Sequence, residues 1–303
     1  MKILRMLKIK IPCSTSNLGP GFDTLGLALN RYLYLSVDET PLARITVEGN
    51  GKEHIAADES NLVICGMKAV AEKLGKELPV LHLHLKNEIP AYGGLGGSGA
   101  AIAGGIFLAN EVLKGNLSRE EMLNIAVEIE GHPDNVSAAL FGGLTINCFN
   151  SDGKVHCRSV KINKPLSVIT CSPHFQVHTK HARKLLPDHI PLNDAVTNIE
   201  NTASLVAALM SGDFEALRYA TIDRLHEQYR STLISGYNDV KKAALNAGAL
   251  SFNISGAGPT VFAFAVKNEE EIGTAMKSAF AQHGKQSSVE IMSIDNNGME
   301  FIT

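Results

Sequence analysis

Hydrophobic and polar positions follow two rhythms along this chain. Residues 80–86 read V-L-H-L-H-L-K, with Leu81, Leu83 and Leu85 on one face and His82, His84 and Lys86 on the other. That period of two predicts a half-buried strand. The chain opens in the same way, Lys2, Arg5, Lys8 and Lys10 alternating with apolar residues as the wet face of a strand. Residues 100–109 are small and apolar and read as a helix. A second helix is predicted from about 118 to 130, capped by Ser118 with Glu121 three residues on. Gly142-Gly143 then precedes an apolar strand at 144–148, and Asn150-Ser151-Asp152-Gly153 signals a turn. The texture changes near residue 160, and a domain boundary is expected there, dividing the chain into 1–160 and 161–303. Beyond it the pattern predicts a strand at 166–171 and helices near 190–211, 213–220 and 238–247. Strands at 249–254 and 260–266, a helix at 268–282 and a final strand near 288–294 complete the reading. Interleaved strands and helices give an α+β class, with helices on one face of mainly antiparallel sheets.

Composition narrows the class of partner. The formal net charge of −3 and scattered Lys and Arg give no reason to expect nucleic acid or an anionic membrane. No apolar run reaches the ~20 residues that span a bilayer, and no signal segment is expected at the start. Five widely spaced cysteines without a CxxC pair predict reduced thiols, a cytoplasmic setting and no structural zinc. The His82-x-His84 pair sits on the wet face of its strand with no third ligand nearby, and no role is assigned to it.

Three segments carry more glycine and more polar residues than packing requires. They are Pro12-Cys13-Ser14-Thr15-Ser16-Asn17-Leu18-Gly19-Pro20-Gly21-Phe22-Asp23, Pro90-Ala91-Tyr92-Gly93-Gly94-Leu95-Gly96-Gly97-Ser98-Gly99-Ala100, and Asn253-Ile254-Ser255-Gly256-Ala257-Gly258-Pro259-Thr260. In the second, a glycine-dense turn between a strand and a helix can aim backbone N–H groups inward, and the helix adds its free N-terminal amides and positive dipole end. Phosphate is the ligand such a cradle fits. The loop lacks the Lys-Ser/Thr ending of a Walker loop. Gly94-x-Gly96-x-x-Gly99 is formally a dinucleotide fingerprint, but no acidic residue follows a second strand at the spacing a ribose requires. Taken alone, the loop reads equally as a phosphate site or a structural turn.

Together the three segments resemble, in order and separation, the signatures of the GHMP kinase superfamily. Within it, Ser16-Asn17-Leu18-Gly19-Pro20-Gly21-Phe22-Asp23-Thr24-Leu25-Gly26 and Glu130-Gly131-His132-Pro133-Asp134-Asn135-Val136 resemble motifs of the homoserine kinase family. So do Thr179-Lys180-His181-Ala182-Arg183 and Asp223-Arg224-Leu225-His226 with Tyr229-Arg230. The resemblance implies a two-domain GHMP kinase fold, with a ribosomal S5 domain 2-like N-terminal domain and a ferredoxin-like C-terminal domain. It implies ATP-dependent, Mg²⁺-requiring phosphorylation of the side-chain hydroxyl of L-homoserine to O-phospho-L-homoserine, a step of threonine biosynthesis. A homodimer is expected, since small metabolic kinases are commonly symmetric dimers.

The family pattern assigns roles residue by residue. Arg183 and Arg230 stand where a carboxylate is held, which suits the planar guanidinium. Asp23 is the implied ammonium partner, with Asn17 and His132 as polar contacts. The amides of residues 94–99 would hold the phosphates, and Pro90, Ala91, Tyr92, Gly93 and Ala100 complete the implied ATP site, with Asn61 near the adenine. Ser98 and Glu130 match the Mg²⁺ ligands, and Glu128 lies close enough to compete, although it reads as an exposed helix charge. Many relatives use an aspartate as general base where this chain has Asn135. Catalysis by Asn135 and Asn17 is therefore expected to work by positioning. The loop departs from the family pattern at Gly97, where a serine is usual, and at Gly99, where alanine is. A higher KM for ATP is the expected consequence. Two other readings remain at this stage: a GHMP kinase for another small alcohol, and a ligand-binding regulator without turnover.

Overall fold

The computed structural model describes residues 6–302; Lys2 and Arg5 of the alternating start lie outside them. The main sheet takes its strands from the first half of the chain: β1 (Leu7–Ser16), β2 (Leu25–Glu39), β3 (Arg44–Gly49), β4 (Leu81–Asn87), β5 (Leu144–Phe149) and β6 (Val155–Val160). A second sheet contains β7 (Ser167–Pro173), β8 (Ser251–Ile254), β9 (Val261–Ala265) and β10 (Ser287–Ser293). A two-residue strand, β11 (Glu300–Phe301), then returns to pair with β1. The strand at 287–293 is therefore not the last of the chain. Lys10 of β1 is paired with Glu300 of β11 at 3.0 Å, so that end of the basic start is not a bare wet face.

Sheet one runs β11-β1-β2-β4-β3, with β5 on β2 and β6 on β5. Its pairings are antiparallel except β3 with β4, which is parallel. Besides β1, β2 serves two further neighbours because it is 15 residues long: its first residues pair with β5 and its last seven with β4. The second sheet is wholly antiparallel in the order β10-β7-β9-β8.

Between these strands lie the helices α1 (Leu62–Leu74), α2 (Gly97–Val112), α3 (Arg119–Glu130) and α4 (Asp134–Phe141), followed by α5 (Thr179–Lys184), α6 (Leu192–Ser211), α7 (Leu217–Ala220), α8 (Glu227–Arg230), α9 (Tyr237–Asn246) and α10 (Glu269–Gln282). The Ser118–Glu121 capping box forms as the sequence predicts. α2 is buried along most of its length and meets β1, α1, α3 and α4. Gly105 lets it approach α1, because a Cβ there would enter the Val63 backbone. α9 and α10 pack against each other and on the second sheet around Phe252, Met276 and Phe280. All five cysteines are free thiols, with Cys13 and Cys171 buried. Among the described residues, no helix is long and apolar enough to cross a membrane.

Candidate active site

β1 runs into the site and delivers Ser14, Thr15 and Ser16, all buried. The loop that follows is held open against its own preferences: Asn17, Leu18 and Asp23 have φ of 69°, 51° and 53°, a left-handed region costly to residues other than glycine. Its hydrogen bonds explain why the conformation persists. The Asn17 Nδ2 donates to the Gly256 carbonyl at 2.9 Å, and the Asp23 amide donates to Asn17 Oδ1 at 3.1 Å. The His226 ring lies 2.9 Å from the Gly19 carbonyl through Nε2 and stacks on Phe22 with centroids 5.1 Å apart. Burial holds His226 below the ordinary histidine range, so its imidazole is neutral.

The glycine loop is turned by left-handed residues at Gly93, Gly94 and Gly96. Its carbonyls are drawn away by partners from distant segments. The Thr260 hydroxyl donates to the Gly93 carbonyl at 2.5 Å, the Ser255 hydroxyl donates to the Gly94 carbonyl, and the Ser14 amide donates to the Leu95 carbonyl at 3.2 Å. The first helical bond of α2 runs from the Ala100 amide to Gly96, which leaves the amides of residues 97–99 without acceptors in the helix. The sequence-predicted Ser98 and Glu130 meet here: the Ser98 hydroxyl donates to Glu130 Oε1 at 2.5 Å. Glu128 is exposed and does not border the cavity.

A cavity of about 490 Å³ runs from this loop to the charged residues, a size ordinary for small-molecule sites. Asn17, Asp23, Asn61, Pro90, Ala91, residues 93–98, Glu130, His132, Asn135, Arg183 and Arg230 all border it. Three sequence-predicted nucleotide residues do not. Tyr92 turns away and stacks on His174 at 4.4 Å, while Gly99 and Ala100 are buried inside α2, where a Cβ on Gly99 would press on Asn135 and Val136. Asn61 borders the cavity while capping α1, its Oδ1 accepting from the Val63 amide at 2.9 Å.

At the other end Arg183 grips Asp23 with both terminal nitrogens, at 2.8 and 2.9 Å. The hydrogen bond to Asp23 raises the Arg183 pKa. Arg230 is buried, donates from Nη1 to the Gly256 carbonyl at 3.1 Å and has no partner at Nε. Burial lowers its pKa. The Phe22 ring lies under both guanidiniums, 5.3 Å from Arg183 and 4.9 Å from Arg230, a cation–π arrangement. His132 lies 2.7 Å from Asp134 through Nδ1; burial would lower its pKa, but the Asp134 carboxylate outweighs it and the net shift is upward. Asn135 is occupied on both sides, accepting from the Ser14 hydroxyl at 2.8 Å and donating to the Ser16 hydroxyl at 3.2 Å.

Sequence reasoning gave no role to the supports of Arg230. Asp223 accepts the amides of Leu225, His226 and Glu227 and so starts α8. Glu227 accepts from the Ile254 amide at 2.6 Å and from Asn253 and Tyr237, fixing α8 to β8. An Asp just ahead of a short polar stretch was the available signal for the first; nothing local marks the second.

The model of the GHMP kinases N terminal domain matches residues 61–143, and that of the GHMP kinases C terminal matches residues 202–285. With the fold above, these matches define the class as a GHMP kinase. The homoserine kinase of Moorella thermoacetica is 39% identical over 97% of this chain and 99% of its own. That of Caldanaerobacter subterraneus is 40% identical, covering 98% of this chain and 96% of its own. The crystal structure of homoserine kinase from Cytophaga hutchinsonii superposes with a TM-score of 0.87 at 31% identity, covering 100% of this chain and 99% of that one. A mevalonate kinase from L. major (TM-score 0.72, 16% identity, 97% of each chain) shares the fold. The chain belongs to the homoserine kinase family of the GHMP kinases.

Proposed function

We propose that the protein transfers the γ-phosphoryl group of ATP to the side-chain hydroxyl of L-homoserine, giving O-phospho-L-homoserine. One observation carries this reading. A single cavity has a backbone cradle at one end and, at the other, two guanidiniums beside one carboxylate, the charge pattern a zwitterionic amino acid complements. In this reading the loop amides hold the phosphates, with Asn61, Pro90 and Ala91 toward the nucleoside. Arg183 and Arg230 take the substrate carboxylate, Asp23 takes its ammonium, and Asn17 and His132 make polar contacts. Ser98 and Glu130 offer two converging oxygens, a set that fits a hard cation keeping most of its waters, and they would hold Mg²⁺. When bound, Mg²⁺ neutralises charge on the phosphates.

No side chain is assigned as a general base. Asn135 fills the position where many relatives carry aspartate, and an amide cannot accept the hydroxyl proton near neutral pH. Its bonds to Ser14 and Ser16 tie β1 to α4 directly behind the loop. Phosphoryl transfer through a loose transition state needs mainly in-line placement and charge stabilisation, which loop amides and fixed cations supply. Asn17 contributes by holding the Asp23 backbone. The same proposal places the reaction in threonine biosynthesis in the cytoplasm, divides the chain at residue 160, and makes the enzyme a homodimer. The test is ADP release with Mg²⁺-ATP against homoserine, mevalonate, galactose and no acceptor. Turnover on homoserine alone is expected; turnover on a neutral alcohol, or nucleotide binding without turnover on any, overturns the reading.

A further inference from the structure

At the charged end of the cavity, Asp23 and Arg183 satisfy each other before any substrate arrives. Asp23 gives both carboxylate oxygens to Arg183, and the pair is open to water, with side chains 33% and 42% exposed. Arg230 contrasts with it: 2% exposed, with Nε unpartnered. The site therefore contains one closed ion pair that is easy to open and one buried cation that lacks an anion.

We propose that the Arg183–Asp23 pair stands in for the substrate's own two charges and that binding proceeds by exchange. The incoming carboxylate takes Asp23's place on Arg183 and Arg230, and the incoming ammonium takes Arg183's place on Asp23. This rests on the assignment of these three residues to the substrate. A zwitterion opens one pair and closes others, so no charge is left bare. A ligand bearing only one of the two charges cannot complete the exchange. A hydroxy acid strands the Asp23 carboxylate; an amino alcohol leaves Arg183 unpaired beside Arg230. Stranding a charge in a partly dry site is costly, so the pair discriminates against either half of the substrate. The Asp23 main chain is fixed where the exchange would occur, its amide bonded to Asn17 and its φ at 53°.

The experiment measures inhibition constants of 4-hydroxybutanoate and 3-aminopropan-1-ol against homoserine turnover, in the wild type, Asp23→Asn and Arg183→Gln. Asparagine keeps the side-chain shape and tolerates the left-handed backbone. Exchange predicts a gain in affinity from a lost contact. Asp23→Asn frees Arg183, and 4-hydroxybutanoate binds about fivefold tighter than to the wild type, the size expected for a partly exposed ion pair. Arg183→Gln frees Asp23 and does the same for 3-aminopropan-1-ol. Homoserine itself binds more weakly to both variants. Unchanged or weaker binding of the matching analogue means that substrate adds beside an intact pair, and the proposal fails. The two variants are reciprocal, so a folding defect in one, seen in its melting curve, leaves the other to decide. Absence of wild-type turnover on homoserine would instead overturn the proposed function itself.

Discussion

The two ends of the cavity are built in opposite ways. The phosphate loop is backbone held by backbone and hydroxyls: three left-handed glycines and carbonyls tied to Thr260, Ser255 and Ser14. The charged end is built from side chains, with Arg183, Asp23, Arg230 and Phe22 drawn from three separate segments. Backbone geometry is general, because amides suit any phosphate. Side-chain charge is particular, because only one arrangement of substrate charges satisfies it. In the proposed reading the first end takes the nucleotide and the second selects the acceptor.

Substitutions should separate the ends cleanly. Arg230→Met should have the largest effect, raising the KM for homoserine at least ~100-fold, about 3 kcal/mol, while the KM for ATP stays within a factor of ~3. Steady-state kinetics with each substrate varied would check it, and an equal effect on both would break the division. Glu227, at the start of the helix that ends in Arg230, tests whether the charged end depends on buried support. Burial pushes its carboxyl up to about 7, despite three hydrogen-bond donors. A raised pKa contributes stability that is complete below the ordinary carboxyl value of 4.5 and is lost as pH rises through about 7. Wild-type stability should therefore fall by about 3 kcal/mol from pH 5 to pH 8, and Glu227→Gln should flatten that decline in urea unfolding.

Gly96→Ala tests the opposite end. A Cβ there would overlap the Ser14 hydroxyl and press on Asn135 with φ at +67°. A loss of about 2 kcal/mol, or roughly 30-fold in kcat/KM for ATP, is expected with homoserine affinity unchanged. Gly97→Ser should act in the other direction and by less. Its Cβ meets nothing within 4 Å, so the hydroxyl fits without rearrangement, and the KM for ATP should fall about threefold through one added phosphate contact. Asn135→Asp should raise kcat by less than ~2-fold, since positioning rather than a missing base limits the reaction. A large gain would show that a base is absent and wanted.

The difference between the ends also decides what could be read from the chain. The strand at 80–86 and the capped helix from 118 show their period and their cap locally, and both form where they were expected. α4 escaped notice because its eight residues lie between Pro133 and Gly142, too few for a helical period to emerge. β2 escaped because its first residues are buried on both faces, which removes the alternation. β11 is two residues long and exists only through pairing with β1. The loop's glycines announced it, since glycine is the residue that takes a left-handed backbone at least cost. Glu227 did not announce itself. A charged residue in a four-residue helix looks like surface, and its burial is imposed by β8 and Tyr237.

The bonds from Ser255 and Thr260 to the loop carbonyls have one more consequence. The cradle is borrowed from both halves of the polypeptide, although its glycines belong to one. Of the three carbonyl ties, only the one from the Ser14 amide comes from the first sheet. On the proposed reading, the part of the site that takes the nucleotide is a joint product of the two halves.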